Sequence, residues 1–125
     1  MGLEFHILDD AVHADARLGR VEGIRTMASL YDLIRAYPDK PVNPIGQWNS
    51  AYIVSKNNHV EHWINGVKLL EYERGSPEFR KLVAESKYAK WADFGELEQG
   101  RILLQDHGDQ VSFKNIKIRP LEKTK

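Results

Sequence analysis

The sequence predicts an all-β fold, an antiparallel β-sandwich with one short helix. Three observations point to it: short runs in which apolar and polar residues alternate, asparagine-rich pairs between those runs, and one segment with helical spacing and its own start signal. A chain of 125 residues is the size of one modest domain, so residues 1–125 are read as a single unit with one core.

The first element is "LEFHIL", where Phe5 and Ile7 alternate with Glu4 and His6, the period of a half-buried strand. From Asp9 to about Val21 no period is sustained, which reads as a long surface excursion. "MASLYDLIRAY" fits a short helix or a strand with a turn equally well. "YPDKPVNPIG" carries three prolines and must be a connecting loop.

Two strands follow, "WNSAYIVSK" and "HVEHWI", joined by Asn57-Asn58, residues that tolerate left-handed backbone. A third, "VKLLEYE", follows Asn65-Gly66, the pair best suited to a type I′ turn because both central residues need positive φ. Ser76 as N-cap, Pro77 at the first helical position, and Phe79, Leu82 and Val83 at helical spacing predict one short helix. "RILLQ" and "VSFKNIKIR" read as two final strands around the polar knot "DHGDQ". The apolar phase of the last one flips near Lys114-Asn115, which fits either a bulge there, with Asn115 bonding the backbone groups it frees, or a strand buried on both faces.

Charge narrows the function. Lys plus Arg number 18, as do Asp plus Glu, so there is no field of one sign to attract nucleic acid or an acidic membrane. No cysteine is present, which excludes disulfides and thiolate metal sites. No apolar run approaches the length of a membrane helix or a signal-peptide core.

Three segments, "EFHILDD", "GQWNSAYIVSKNNHVEHWINGVKLLEYE" and "GRILLQDHGDQVSFKNIKIRPL", together resemble the 3-keto-disaccharide hydrolase domain family over nearly the whole chain. The resemblance implies a concanavalin-like or laminarinase-like jelly roll of two stacked antiparallel sheets, and an enzyme cleaving 3-keto-glycosides. It also implies a small carbohydrate as partner and a periplasmic or extracellular location. The family's domain normally opens further upstream, so the jelly roll is expected to be incomplete here. The chain is then a fragment, or one that completes its sheets with another polypeptide. Bare strand edges would favour self-association. Where the family usually has Gln, this chain has His6.

A ketone at C3 of a sugar acidifies the C2 hydrogen and leaves the C1 substituent β to the carbonyl. Cleavage needs a base near C2, a donor for the enolate oxygen and an acid for the departing oxygen. Histidine suits the base and acid roles because its reference pKa is about 6.5. Gln105 and His107 share a strand parity, as do Glu4 and His6, so on one sheet the four would line one concave wall. His107, His6 and Glu4 are the leading catalytic candidates, with His62 in second rank because it shares the parity of apolar Val60 and Ile64. Gln105, Asp9, Asp109 and Trp48 are the candidate substrate contacts. A divalent metal held by Glu4, His6 and His107 could polarise the ketone, although no metal signature demands it.

Each has a plainer use. His107, Gly108 and Asp109 suit a hairpin turn, and Gln105 a cross-sheet hydrogen bond. Glu4 and His6 suit a solvated strand face, Asp9 a strand end, Trp48 the core, and Asn65-Gly66 the turn alone. A non-catalytic carbohydrate-binding module, or an inactive fragment, is the rival reading of the whole chain.

Overall fold

The structure, a computed structural model, describes residues 2–122. Its frame is an antiparallel three-stranded sheet in the order β1 (Ala51–Lys56), β2 (His59–Ile64), β3 (Val67–Glu73), followed by one helix, α1 (Pro77–Ala84). The all-β class with a single short helix holds, and the sheet is part of an incomplete jelly roll. Both hairpins form as their turn residues dictate. Lys56 pairs with His59 and Ile64 with Val67, leaving two-residue loops in which Asn57 has φ 53°, Asn65 φ 47° and Gly66 φ 83°.

Alternation on β2 sends Val60, His62 and Ile64 inward and His59, Glu61 and Trp63 outward. A bulge opposite His62 and Trp63 gives β3 one extra residue, so the consecutive Leu69 and Leu70 are both buried. Asn65 does more than turn the chain. Its amide nitrogen donates to the Pro41 carbonyl (2.6 Å) and to Asn49 Oδ1 (2.9 Å), and its Oδ1 accepts from Ser50 N–H (2.8 Å), stitching the proline-rich loop to the sheet.

Helix α1 starts where its cap predicts: Ser76 Oγ accepts from Phe79 N–H at 3.1 Å, with Pro77 at the first position. It buries Phe79 and Val83, with Leu82 partly buried, and the Phe79 ring stacks on Tyr72 at 5.9 Å. Gly95, at φ 77°, runs close beneath. A Cβ there would meet Leu3 Cδ2 at 2.8 Å and Phe79 Cζ at 3.0 Å.

The region before the sheet departs from the expected strand. "LEFHIL" makes an isolated bridge, Phe5 with Leu30, because its partner segment is curled by left-handed Ala28 (φ 65°) and Asp32 (φ 63°) and cannot run on as a strand. Phe5 packs against the core, but Ile7 is exposed. "MASLYDLIRAY" is a tight turn, with Leu30 and Ile34 exchanging two 3.0 Å backbone bonds. The loop from Asp9 carries a 3-10 turn over Ala14–Arg17.

The C-terminal expectation is corrected. "RILLQ" and "VSFKNIKIR" belong to no sheet among the described residues, and Ile102, Leu103, Leu104, Ile116 and Ile118 are all exposed. No neighbouring strand reaches them, so alternation alone cannot make a ladder. At the expected flip Asn115 has left-handed backbone (φ 54°), and among the described residues it lies between no paired strands, while Phe113, Ile116 and Ile118 are all exposed, so neither a bulge nor a strand buried on both faces forms there.

Candidate functional site

The segment Glu4 to His6 lies along residues 28–31. Ala28 N–H donates to the His6 carbonyl (2.7 Å), His6 N–H to Ser29 (3.2 Å) and Tyr31 N–H to Glu4 (3.0 Å). The two left-handed residues on either side of this contact fold Arg25, Tyr31 and Asp32 back around His6. His6 Nδ1 sits 2.8 Å from the Arg25 carbonyl oxygen. A carbonyl only accepts, so Nδ1 carries the hydrogen and the neutral ring keeps its lone pair on Nε2.

Burial holds the His6 pKa below its ordinary value, outweighing the Arg25 carbonyl and the charges of Glu4, Asp15 and Asp10, which push the other way. Asp15 Oδ2 lies 3.9 Å from Nε2. Its other oxygen accepts from Arg25 Nη1 at 3.0 Å, and Arg25 Nε donates to the buried Asp32 at 2.7 Å. Burial opposes the Arg25 charge, but the Asp32 and Asp15 hydrogen bonds prevail and keep it firmly protonated. Tyr31 meets the His6 ring edge-on at 4.7 Å, with the Arg25 guanidinium 5.2 Å from its centroid. The product is a neutral imidazole with a fixed tautomer and a free nitrogen, the state a general base requires.

The polar knot reaches this cluster by one contact. Asp109 Oδ2 lies 3.4 Å from His13 Nε2, while His13 Nδ1 accepts from Asp15 N–H at 3.1 Å, so the knot is tied to the loop that presents Asp15. Gln105 and His107 are exposed, and among the described residues neither bonds to Glu4 or His6. In the knot itself Gly108, at φ 96°, donates its N–H to Asp106 Oδ1 at 3.1 Å, a local turn.

The other candidates fall elsewhere. His62 is buried, its Nδ1–H donating to the Ala28 carbonyl at 2.8 Å, and burial pushes its pKa down to about 4. It lines a groove of about 180 Å³ with Glu4, Phe5, Ile53 and Arg74. Asp9 accepts from Ala11 N–H at 3.1 Å and turns the chain. Trp48 is 51 % exposed rather than in the core, with Lys114 Nζ 4.2 Å above its ring.

Glu4, His6 and His107 do not bring ligand atoms into metal-binding reach of one another; among the described residues His59, Glu61 and Glu71 do, on the outer face of the sheet. There His59 Nε2 and Lys68 Nζ already pair with the carboxylates, at 3.2 Å to Glu61 and 2.9 Å to Glu71. Sequence reading missed Arg25, Asp15, Tyr31 and Asp32. Their grouping depends on positive φ at Ala28 and Asp32; aspartate is a weak signal for that conformation and alanine is none.

A family model described as the 3-keto-alpha-glucoside-1,2-lyase-like domain matches residues 1–119. The chain is 37% identical over 129 residues to the 3-keto-disaccharide hydrolase of Bacteroides thetaiotaomicron, an alignment covering 95% of this chain and 44% of that protein. It is also similar to a solved structure from Parabacteroides distasonis named as a candidate glycosyl hydrolase, with a TM-score of 0.55 and 31% identity over 62% of this chain and 35% of that one. The chain thus spans less than half the length of these relatives. With nearly its whole length matched, it belongs to the 3-keto-alpha-glucoside-1,2-lyase-like family.

Proposed function

We propose that this chain contributes to the cleavage of 3-keto-glycosides, with His6, which stands where the family usually has Gln, as a base particular to this chain that removes the C2 proton. The observation that carries the reading is the locked tautomer: Nδ1–H is held by the Arg25 carbonyl, which leaves the lone pair on Nε2, 3.9 Å from Asp15 Oδ2. In the reaction the C2–H electron pair forms the enolate as the proton passes to Nε2. The enolate then collapses and expels the C1 oxygen, which takes up a proton. Water adds across the resulting C1=C2 bond, placing hydroxyl on C1 and hydrogen on C2. The knot around His107 is tethered beside this cluster through Asp109 and His13, and His107 is the proposed acid for the departing oxygen.

The test is release of nitrophenol from a nitrophenyl 3-keto-α-glucoside. His6→Gln should lower the rate by about 10²–10⁴-fold, the span of general-base catalysis, and His107→Ala should lower it too. The rate should rise with pH through the His6 pKa and level off below the ordinary histidine value, because burial favours the neutral ring. Unchanged release by His6→Gln would remove it from the mechanism. A binding module is favoured only by half-exposed Trp48, whose ring could stack on a sugar; retention of unoxidised glycan without turnover would support it. Self-association through the exposed apolar C-terminal run, and a place outside the cytoplasm, are parts of the same reading. Size exclusion and cell fractionation test them.

A further inference from the structure

We infer that Lys87 supplies the positive charge that meets the ketone oxygen while His6 takes the C2 proton. This inference rests on the reading of His6 as the base. Its Nζ lies 4.3 Å from the centroid of the Tyr31 ring, the same ring that His6 approaches edge-on at 4.7 Å. Glu4, Arg25, Asp15 and Asp32 complete the charged surroundings of that tyrosine.

Removing the C2 proton moves a full negative charge onto the ketone oxygen, and a cation already in place lowers that barrier most. Arg25 is the nearer cation in sequence, but its charge is spent: Nε and Nη1 are bonded to Asp32 and Asp15. Lys40 is held by Asp10, Lys68 by Glu71 and Arg80 by Glu96. Among the described residues Lys87 has no carboxylate within ion-pairing distance, so its ammonium is available to a substrate oxygen.

Its backbone is nonetheless fixed. Ser86 Oγ donates to the Val83 carbonyl at 2.8 Å and accepts from Tyr88 N–H at 3.0 Å, and the buried Tyr88 stacks on Phe94 at 4.0 Å. The lysine is therefore anchored on both sides, just after α1, while its side chain stays exposed. That combination of a held backbone and an unpaired ammonium suits a group that must find its partner only when substrate arrives.

The experiment follows two rates for the whole chain with nitrophenyl 3-keto-α-glucoside in deuterated water: exchange of the C2 hydrogen by NMR, and nitrophenol release. Lys87→Met should lower both about 100-fold, the cost of losing one donor to a developing oxyanion, while substrate binding changes by less than about threefold. Lys87→Arg, which keeps the charge, should recover about tenfold of that loss. Should Lys87→Met disturb the fold, seen as loss of the ring-shifted Phe94 and Tyr88 signals, Lys87→Gln against Lys87→Arg gives the same comparison. Exchange and release within about threefold of the parent in Lys87→Met or Lys87→Gln, with His6→Gln inactive, would overturn the role of Lys87 and leave the base standing. A parent chain that neither exchanges nor releases would overturn both.

Discussion

Residues 51–94 and residues 97–122 are written in the same vocabulary of alternating apolar residues and turn signals, yet only the first region forms paired structure. The difference lies in where the partners are. Each strand of the first region meets its neighbour after a two-residue turn, and α1 follows directly. Among the described residues the second region pairs with no strand, and its large apolar side chains are mostly exposed. Alternation states a readiness to pair; pairing needs an edge within reach.

The sharpest way to break this comparison is amide exchange. Amides of β2, bonded on both sides, should be protected more than about a thousandfold beyond those of residues 101–119. Equal protection would mean that the C-terminal segment is paired in solution. Next in size is Phe79→Ala, which empties the fully buried ring site between Tyr72 and Gly95; we expect a loss of about 3–5 kcal/mol in urea unfolding. A loss under about 1 kcal/mol would show that α1 is not part of the core.

His62 gives a pH test of the same half. Folding lowers its pKa to about 4, so between that value and the ordinary 6.5 the unfolded chain binds a proton that the folded chain does not. Its contribution is complete above about pH 6.5 and is lost as pH falls towards 4, a loss on the order of 3 kcal/mol. Urea midpoints between pH 7 and 4 should fall in the parent and stay flatter in His62→Phe. Ser76→Ala removes the α1 cap and should cost about 1 kcal/mol. Smallest is Leu103→Ala in the other half. Leu103 is 81 % exposed, and its truncation should change stability by less than about 0.5 kcal/mol.

What the residues disclosed follows the same division. Asn57, Asn65-Gly66, Ser76 and Pro77 each carry a short-range instruction that their neighbours satisfy, and both hairpins and α1 are where those residues put them. The inward parity of His62 was equally legible, together with its satisfied hydrogen bond. The strand at "LEFHIL" shrank to one bridge because Ala28 and Asp32 take left-handed angles, which aspartate tolerates but alanine disfavours. The same two residues gather Arg25, Tyr31 and Asp32 around His6, so the surroundings of the site were hidden by the feature that shortened the strand. The knot at Gln105–Asp109 did find the N-terminal region, through His13 rather than through a shared sheet face.

Arg74 stands at the junction between the two regions. Its guanidinium donates to the carbonyls of Gly95 (3.3 Å) and Leu97 (3.0 Å) and, on the other side, to that of Asn57 (3.3 Å) in the first hairpin turn. A pull that had freed the contacts of Lys114 with Trp48 and of Asp109 with His13 would next meet Arg74, whose bonds at Leu97 and Gly95 would carry the tension to the tip of the sheet. Arg74 acts as a mechanical anchor, setting the point at which a loose strap becomes a stressed frame.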